Sequence, residues 1–139
     1  EEVKAYLDEK GIEYKDLGCF STERTDYPIY GEKVANAVAC GECEKGLLFC
    51  GTGVGISLAA NKVPGIRAAL CNDTFSARAA REHNDANILT LGERVIGSGL
   101  ALDIVKIWLE SEFAGGRHAA RLEKIREIEK KYSHPQRYN

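Results

Sequence analysis

The most constraining feature of this chain is a short apolar run, Gly46 to Cys50 (GLLFC). It passes directly into a glycine-rich turn, Gly51 to Gly55 (GTGVG), and then into a helix-forming stretch, Ile56 to Lys62. A continuous apolar run of this length is the form a strand takes when both its faces are covered, as in a parallel sheet. The unit then repeats. Ile66 to Cys71 (IRAALC) reads as a strand, and Thr74 to His83 as a helix with Asn72 or Asp73 as its N-cap. Asn87 to Leu91 (NILTL) reads as another strand, followed by an amphipathic helix from Ser98 to Phe113 that carries Leu100, Ile104, Trp108 and Leu109. Gly115 and Gly116 break that helix, and Arg117 to Lys131 forms the last one. Strands alternating with helices predict an α/β fold, a three-layer sandwich with a parallel sheet between helices.

The beginning of the chain reads differently. Glu1 to Lys10 is rich in helix formers and stops at Gly11, a C-terminal cap. Ile12 to Leu17 (IEYKDL) alternates apolar and polar residues as a short strand does. A polar loop from Gly18 to Tyr27 leads to Pro28, which starts a helix running to about Cys40. No repeat, linker or low-complexity stretch interrupts the pattern, so residues 1–139 are expected to form one domain, long enough to bury a core without staples. A parallel α/β domain ordinarily opens with a strand, because the first crossover has to start from one. This sequence opens inside a helix and contains no methionine, so a first strand is expected to be missing from it.

Composition removes several classes of function. With 44% hydrophobic residues the chain is too apolar to stay disordered. Nineteen basic residues against twenty-one acidic ones leave a formal charge of −2, which argues against a nucleic-acid footprint or a polybasic membrane patch. No apolar run approaches the ~18 residues of a membrane span, and no signal peptide is visible. The expected location is cytoplasmic, and the five cysteines (Cys19, Cys40, Cys43, Cys50 and Cys71) read as reduced thiols.

Chemistry concentrates at the glycine turn. Gly51, Gly53 and Gly55 alternate with Thr52 and Val54, which lets backbone N–H groups approach a phosphate or an oxyanion closely. The spacing fits neither a dinucleotide fingerprint nor a nucleoside-triphosphate loop. A tight structural turn is the plainer alternative. Cys50 stands immediately before these donors, where a partly exposed thiol can serve as base or nucleophile; a small core residue is its plainer reading. His83 and Asn84 end a helix just before a strand, where the imidazole either exchanges a proton or simply complements the helix dipole. Arg117 and Arg121 lie one turn apart on the face that also carries Ile125, Ile128 and Tyr132, opposite Glu123, Arg126, Glu127 and Lys130. Such a pair meets buried carboxylates, receives an anion such as phosphate, or reaches over apolar surface to water. Cys40 and Cys43 have CxxC spacing but fall at a helix end with no second pair or suitably placed His, so neither a redox motif nor a metal site is expected.

Together these pieces resemble the ribose-5-phosphate isomerase B family, which includes the galactose-6-phosphate isomerase subunits. The resemblance rests on Glu23-Arg24-Thr25-Asp26-Tyr27-Pro28, Cys50 through Ser57 with Ala59-Ala60-Asn61-Lys62, Gly65-Ile66-Arg67-Ala68, Arg81 through Asn87, and Gly115-Gly116-Arg117-His118, in that order. It implies a Rossmann-like sandwich and a homodimer or dimer of dimers whose active sites combine residues of both subunits. It also implies aldose–ketose isomerisation of ribose 5-phosphate to ribulose 5-phosphate with no metal or cofactor. By position, Cys50 would move the proton between C2 and C1, His83 would help to open the furanose ring, and Thr52 would assist one of these steps. The Gly51, Gly53, Val54 and Gly55 backbone and Asn84 would hold the enediolate, Arg117 and Arg121 the phosphate, and Tyr27 would line the pocket. Some members carry a Glu base directly after the glycine loop; here that place is Ile56, which returns the role to Cys50. Members begin with a strand ending in an Asp-His pair, so the site carried by these residues is expected to be incomplete.

Two rival readings stay open. An isomerase for a six-carbon sugar phosphate, such as allose 6-phosphate or galactose 6-phosphate, would use the same residues. A phosphate-sensing module without catalysis would explain the loop and the arginines, but would leave Cys50 and His83 without tasks.

Overall fold

The computed structural model describes residues 2–17 and 26–133. Along them run α1 (Glu2–Glu9), α2 (Tyr27–Ala39), β1 (Gly46–Cys50), α3 (Val54–Ala60), β2 (Ala68–Leu70), α4 (Thr74–Glu82), β3 (Ile88–Gly92), α5 (Ser98–Glu110) and α6 (Arg117–Tyr132). The three strands are parallel in the order β1-β3-β2, with Cys50 opposite Gly92 and Leu70 opposite Thr90. Their carboxyl ends therefore lie together. All five residues of β3 are buried, as expected of a central strand covered on both faces.

Alternation along β3 divides the core in two. Ile88 faces one layer with Leu48, Ala35 and Val38 of α2, Ile56 and Ala60 of α3, and Ile66. Leu89 and Leu91 face the other, with Ala77 and Ala80 of α4 and Ile104, Val105 and Trp108 of α5. Val3 of α1 adds to that second layer, and the Tyr6 hydroxyl donates to Glu110 Oε1 at 3.2 Å. Burying a side chain the size of Leu89 or Ile104 contributes roughly 1.5–3 kcal/mol, so each layer can hold its helices firmly. This is the three-layer, Rossmann-like α/β arrangement expected. No helix among the described residues is long and apolar enough to cross a membrane.

Three local expectations need correction. Residues 12–17 do not form a strand; all but Leu17 are exposed, and the segment lies across a cavity of about 1400 Å³ that is also lined by β1. Alternation tells which side chains share a face, but a strand also needs a neighbouring backbone about 4.8 Å away. β2 spans three residues rather than six, because side chains satisfy the backbone before it. Asn87 Oδ1 accepts from Arg67 N at 2.8 Å, and Asn61 Oδ1 accepts from Ala68 N at 2.8 Å. The helix expected to reach Phe113 ends at Glu110, where both the backbone N–H and the hydroxyl of Ser111 donate to the Ile107 carbonyl.

Candidate active site

The glycine turn sits where β1 ends and α3 begins, at the carboxyl edge of the sheet. Gly53 has φ +81°, and a Cβ there would lie 2.5 Å from Leu70 Cδ1. The turn can be this tight only with glycine at that place. Its N–H donates to Cys50 Sγ at 3.1 Å, a contact that a thiolate accepts better than a thiol. Val54 N donates to Thr52 Oγ1 at 3.2 Å, and the buried Thr90 hydroxyl donates to the Gly53 carbonyl at 3.1 Å, locking the turn onto the central strand. Cys50 is half-buried at the head of this turn and borders the large cavity with Tyr27. The Tyr27 ring lies against Gly55: a Cβ there would be 2.6 Å from Tyr27 Cζ. Cys50, Thr52, Tyr27 and the backbone of residues 51–55 thus form one cluster.

Arg94 joins them and was missed in the sequence. Its N–H donates to the Gly51 carbonyl at 3.0 Å, and its side chain runs past Gly51, with Nε 3.7 Å from where a Cβ would be. The signal that could have found it is its place two residues beyond the end of β3, on the edge where parallel sheets keep their ligands.

A second cluster forms at the junction of α4 and α6. His83 is the C-cap of α4, and its ring stacks on that of His118 with centroids 4.4 Å apart and planes 15° from parallel. Asn84 follows, exposed, on a turn secured by Asp85 at φ +47°. Asp85 pairs with Arg81 at 2.9 Å and with Arg67 at 3.4 Å, which holds that unfavourable backbone in place. Ala114 N donates to the Glu82 carbonyl at 3.0 Å, tying the Gly115-Gly116 turn to the end of α4. Arg117 and Arg121 follow on the first turns of α6, both exposed, and among the described residues neither pairs with a carboxylate. Partial burial of the ring lowers the His118 pKa below its ordinary value, and the positive charges of His83, Arg117 and Arg121 act in the same direction.

The two clusters do not meet within one chain. Cys50 pairs with Gly92 at the carboxyl end of β3, whereas His83 precedes Ile88 at the amino end. Four residue steps along a strand already separate these ends by ~13 Å.

The remaining candidates are quiet. Cys40 is the C-cap of α2, and it and Cys43 are free thiols, as are Cys50 and Cys71. No three metal-ligating side chains converge among the described residues. Cys19, Glu23, Arg24, Thr25 and His134 lie outside the described residues.

A glycine-rich turn and a thiol at the carboxyl edge of a parallel sheet, with an exposed imidazole and paired arginines elsewhere, define the class of an α/β protein equipped for proton transfer on an anionic small molecule. The chain belongs to the ribose/galactose isomerase family, which matches residues 1–125. It is 53% identical to the ribose-5-phosphate isomerase B of Escherichia coli, over 94% of this chain and 87% of that protein. A solved ribose-5-phosphate isomerase B of Clostridium thermocellum superposes with a TM-score of 0.92 at 61% identity, over 95% of this chain and 89% of that one. A Thermotoga maritima ribose 5-phosphate isomerase gives a TM-score of 0.86 at 52% identity, over 91% and 87%.

Proposed function

We propose that this protein interconverts ribose 5-phosphate and ribulose 5-phosphate through a cis-enediolate. The observation that carries this reading is the Cys50 sulfur at the head of the glycine turn, hydrogen-bonded to the Gly53 N–H at 3.1 Å. His83 passes a proton to the ring oxygen as the O1 hydroxyl gives one up, and the furanose opens to the aldehyde. The Cys50 thiolate then takes the proton from C2, and the electron pair moves through C1 to the carbonyl oxygen, giving the enediolate. Backbone N–H groups of Gly51, Gly53, Val54 and Gly55, with Asn84, face that charge, the placement that lowers such a barrier most. Thr52 assists the transfer between oxygens, and Cys50 returns its proton to C1 to give the ketose. Arg117 and Arg121 grip the phosphate, whose binding energy orients the reacting carbons. Arg94 adds positive charge beside Gly51. Each step needs only proton transfer and hydrogen bonding from these side chains.

Separation of the two clusters supports a homodimer, or a dimer of dimers, in which one subunit supplies Cys50 and the glycine turn and the other supplies His83, Asn84 and the arginines. Residues 1–139 act as one sugar-phosphate isomerase domain, and free thiols at all four described cysteines fit a cytoplasmic location. The family's two named sugars favour a second reading, a six-carbon substrate such as galactose 6-phosphate or allose 6-phosphate.

The test is conversion of ribose 5-phosphate to ribulose 5-phosphate by the protein and its Cys50→Ala variant, with both six-carbon sugar phosphates assayed beside it. Turnover of the pentose is expected, with a fall of at least ~100-fold in the variant, the lower end of what a general base contributes. Turnover of only a six-carbon sugar would replace the substrate. An undiminished Cys50→Ala enzyme would remove Cys50 as base, and tight binding without turnover would make the protein a sensor.

A further inference from the structure

With the phosphate assigned to Arg117 and Arg121 and ring opening to His83, His118 stands between them without a task. His83 ends a helix with its side chain exposed, and an exposed imidazole at a helix end samples several rotamers. A parallel ring at stacking distance removes part of that freedom. His118 is itself anchored: it is the second residue of α6, and its N–H donates to the Gly115 carbonyl at 3.1 Å. The turn before it is tied to the end of α4 through the bond from Ala114 to Glu82. Both rings are thus held at one junction by two elements.

We propose that His118 is a positioning residue. Its ring holds the His83 imidazole in the orientation from which it exchanges a proton with the sugar's ring oxygen, and it touches neither the phosphate nor the reacting carbons. The inference rests on the role given to His83 above. The charged groups around the pair are Glu82 at the end of α4 and Arg117 and Arg121 on α6. Beside two guanidinium groups, a His118 whose pKa is lowered is an uncharged ring at neutral pH, better suited to stacking than to gripping an anion.

The experiment measures kcat and KM for ribose 5-phosphate in His118→Ala, His118→Phe, His83→Ala and the His83→Ala/His118→Ala double variant. His118→Ala is expected to lose about tenfold in kcat with KM changed less than about twofold, and His118→Phe, which keeps a stacking face, to recover most of that loss. In the absence of His83, removing His118 should cost nothing further, because residues acting through one another are not additive. A rise in KM with kcat unchanged would make His118 a phosphate ligand and overturn the proposal. So would equal losses in the Ala and Phe variants, or a further loss in the double variant. A wild-type His118→Ala beside a crippled His83→Ala overturns this inference alone, whereas a fully active His83→Ala overturns the ring-opening role with it.

Discussion

Cys50 and Cys71 are both found at the ends of strands, and their surroundings give them opposite chemistry. Cys50 is half-buried with a backbone N–H on its sulfur, whereas Cys71 is 2% exposed and packs with Ala77, Ala80 and Leu91. Burial pushes the Cys71 thiol up to about 11 from its ordinary 9.0, and the Asp73 carboxylate acts in the same direction. As pH rises, the unfolded chain loses this proton first. The stability gained by burying the neutral thiol is therefore whole below about 9 and is lost between there and about 11. Thermal melting over that range should show a steeper loss for the parent than for Cys71→Ala; parallel curves would contradict the assignment. Alkylation of the native protein at pH 8 should label Cys50 and spare Cys71. Nothing in the two local sequences separates these thiols, since each simply ends an apolar run. The glycine turn was legible because glycines at alternate positions serve few other purposes.

At the scale of elements, what the sequence conveyed was set by how local its cause is. β1 and the start of α4 follow from short-range rules: a continuous apolar run, and Asp73 as an N-cap whose carboxylate accepts from Ser76 N at 2.6 Å. The strand expected over residues 12–17 failed because a strand is a pairing, and its partner cannot be read from the segment itself. β2 shows the reverse case, in which two distant asparagines frame a strand. Asn87 accepts from Arg67 N at 2.8 Å and donates to the Gly65 carbonyl at 3.0 Å; Asn61 makes the same two-way bond to Ala68 at 2.8 and 3.0 Å. Asn87→Ala leaves the Arg67 N–H and the Gly65 carbonyl without these partners, and should destabilise the protein by about 1–3 kcal/mol in urea unfolding. A change within error would mean that water replaces the amide at no cost.

At the scale of the molecule, the order of the motifs along the chain hides their separation in space. Cys50 and His83 are thirty-three residues apart in sequence and at opposite ends of the same parallel sheet. Arg117 and Arg121 stand with His83 because the Gly115-Gly116 turn folds α6 back onto the end of α4. Helical spacing put the arginines on one face in the sequence, but it could not say that they share an end with the imidazole, since that depends on the path of the whole chain. A catalytic base at one end and a ring-opening group at the other make sense when two copies meet end to end, each completing the other's site.

Mixing two inactive variants tests this directly. Cys50→Ala and His83→Ala, each nearly inactive alone, are unfolded together in equal amounts, refolded and assayed for ribose 5-phosphate isomerisation. Half the dimers should then be mixed, each with one intact site, and activity should return to about a quarter of the parent's per chain. Activity in the refolded mixture no higher than in either variant alone, with mixed dimers present, would contradict a site shared between subunits.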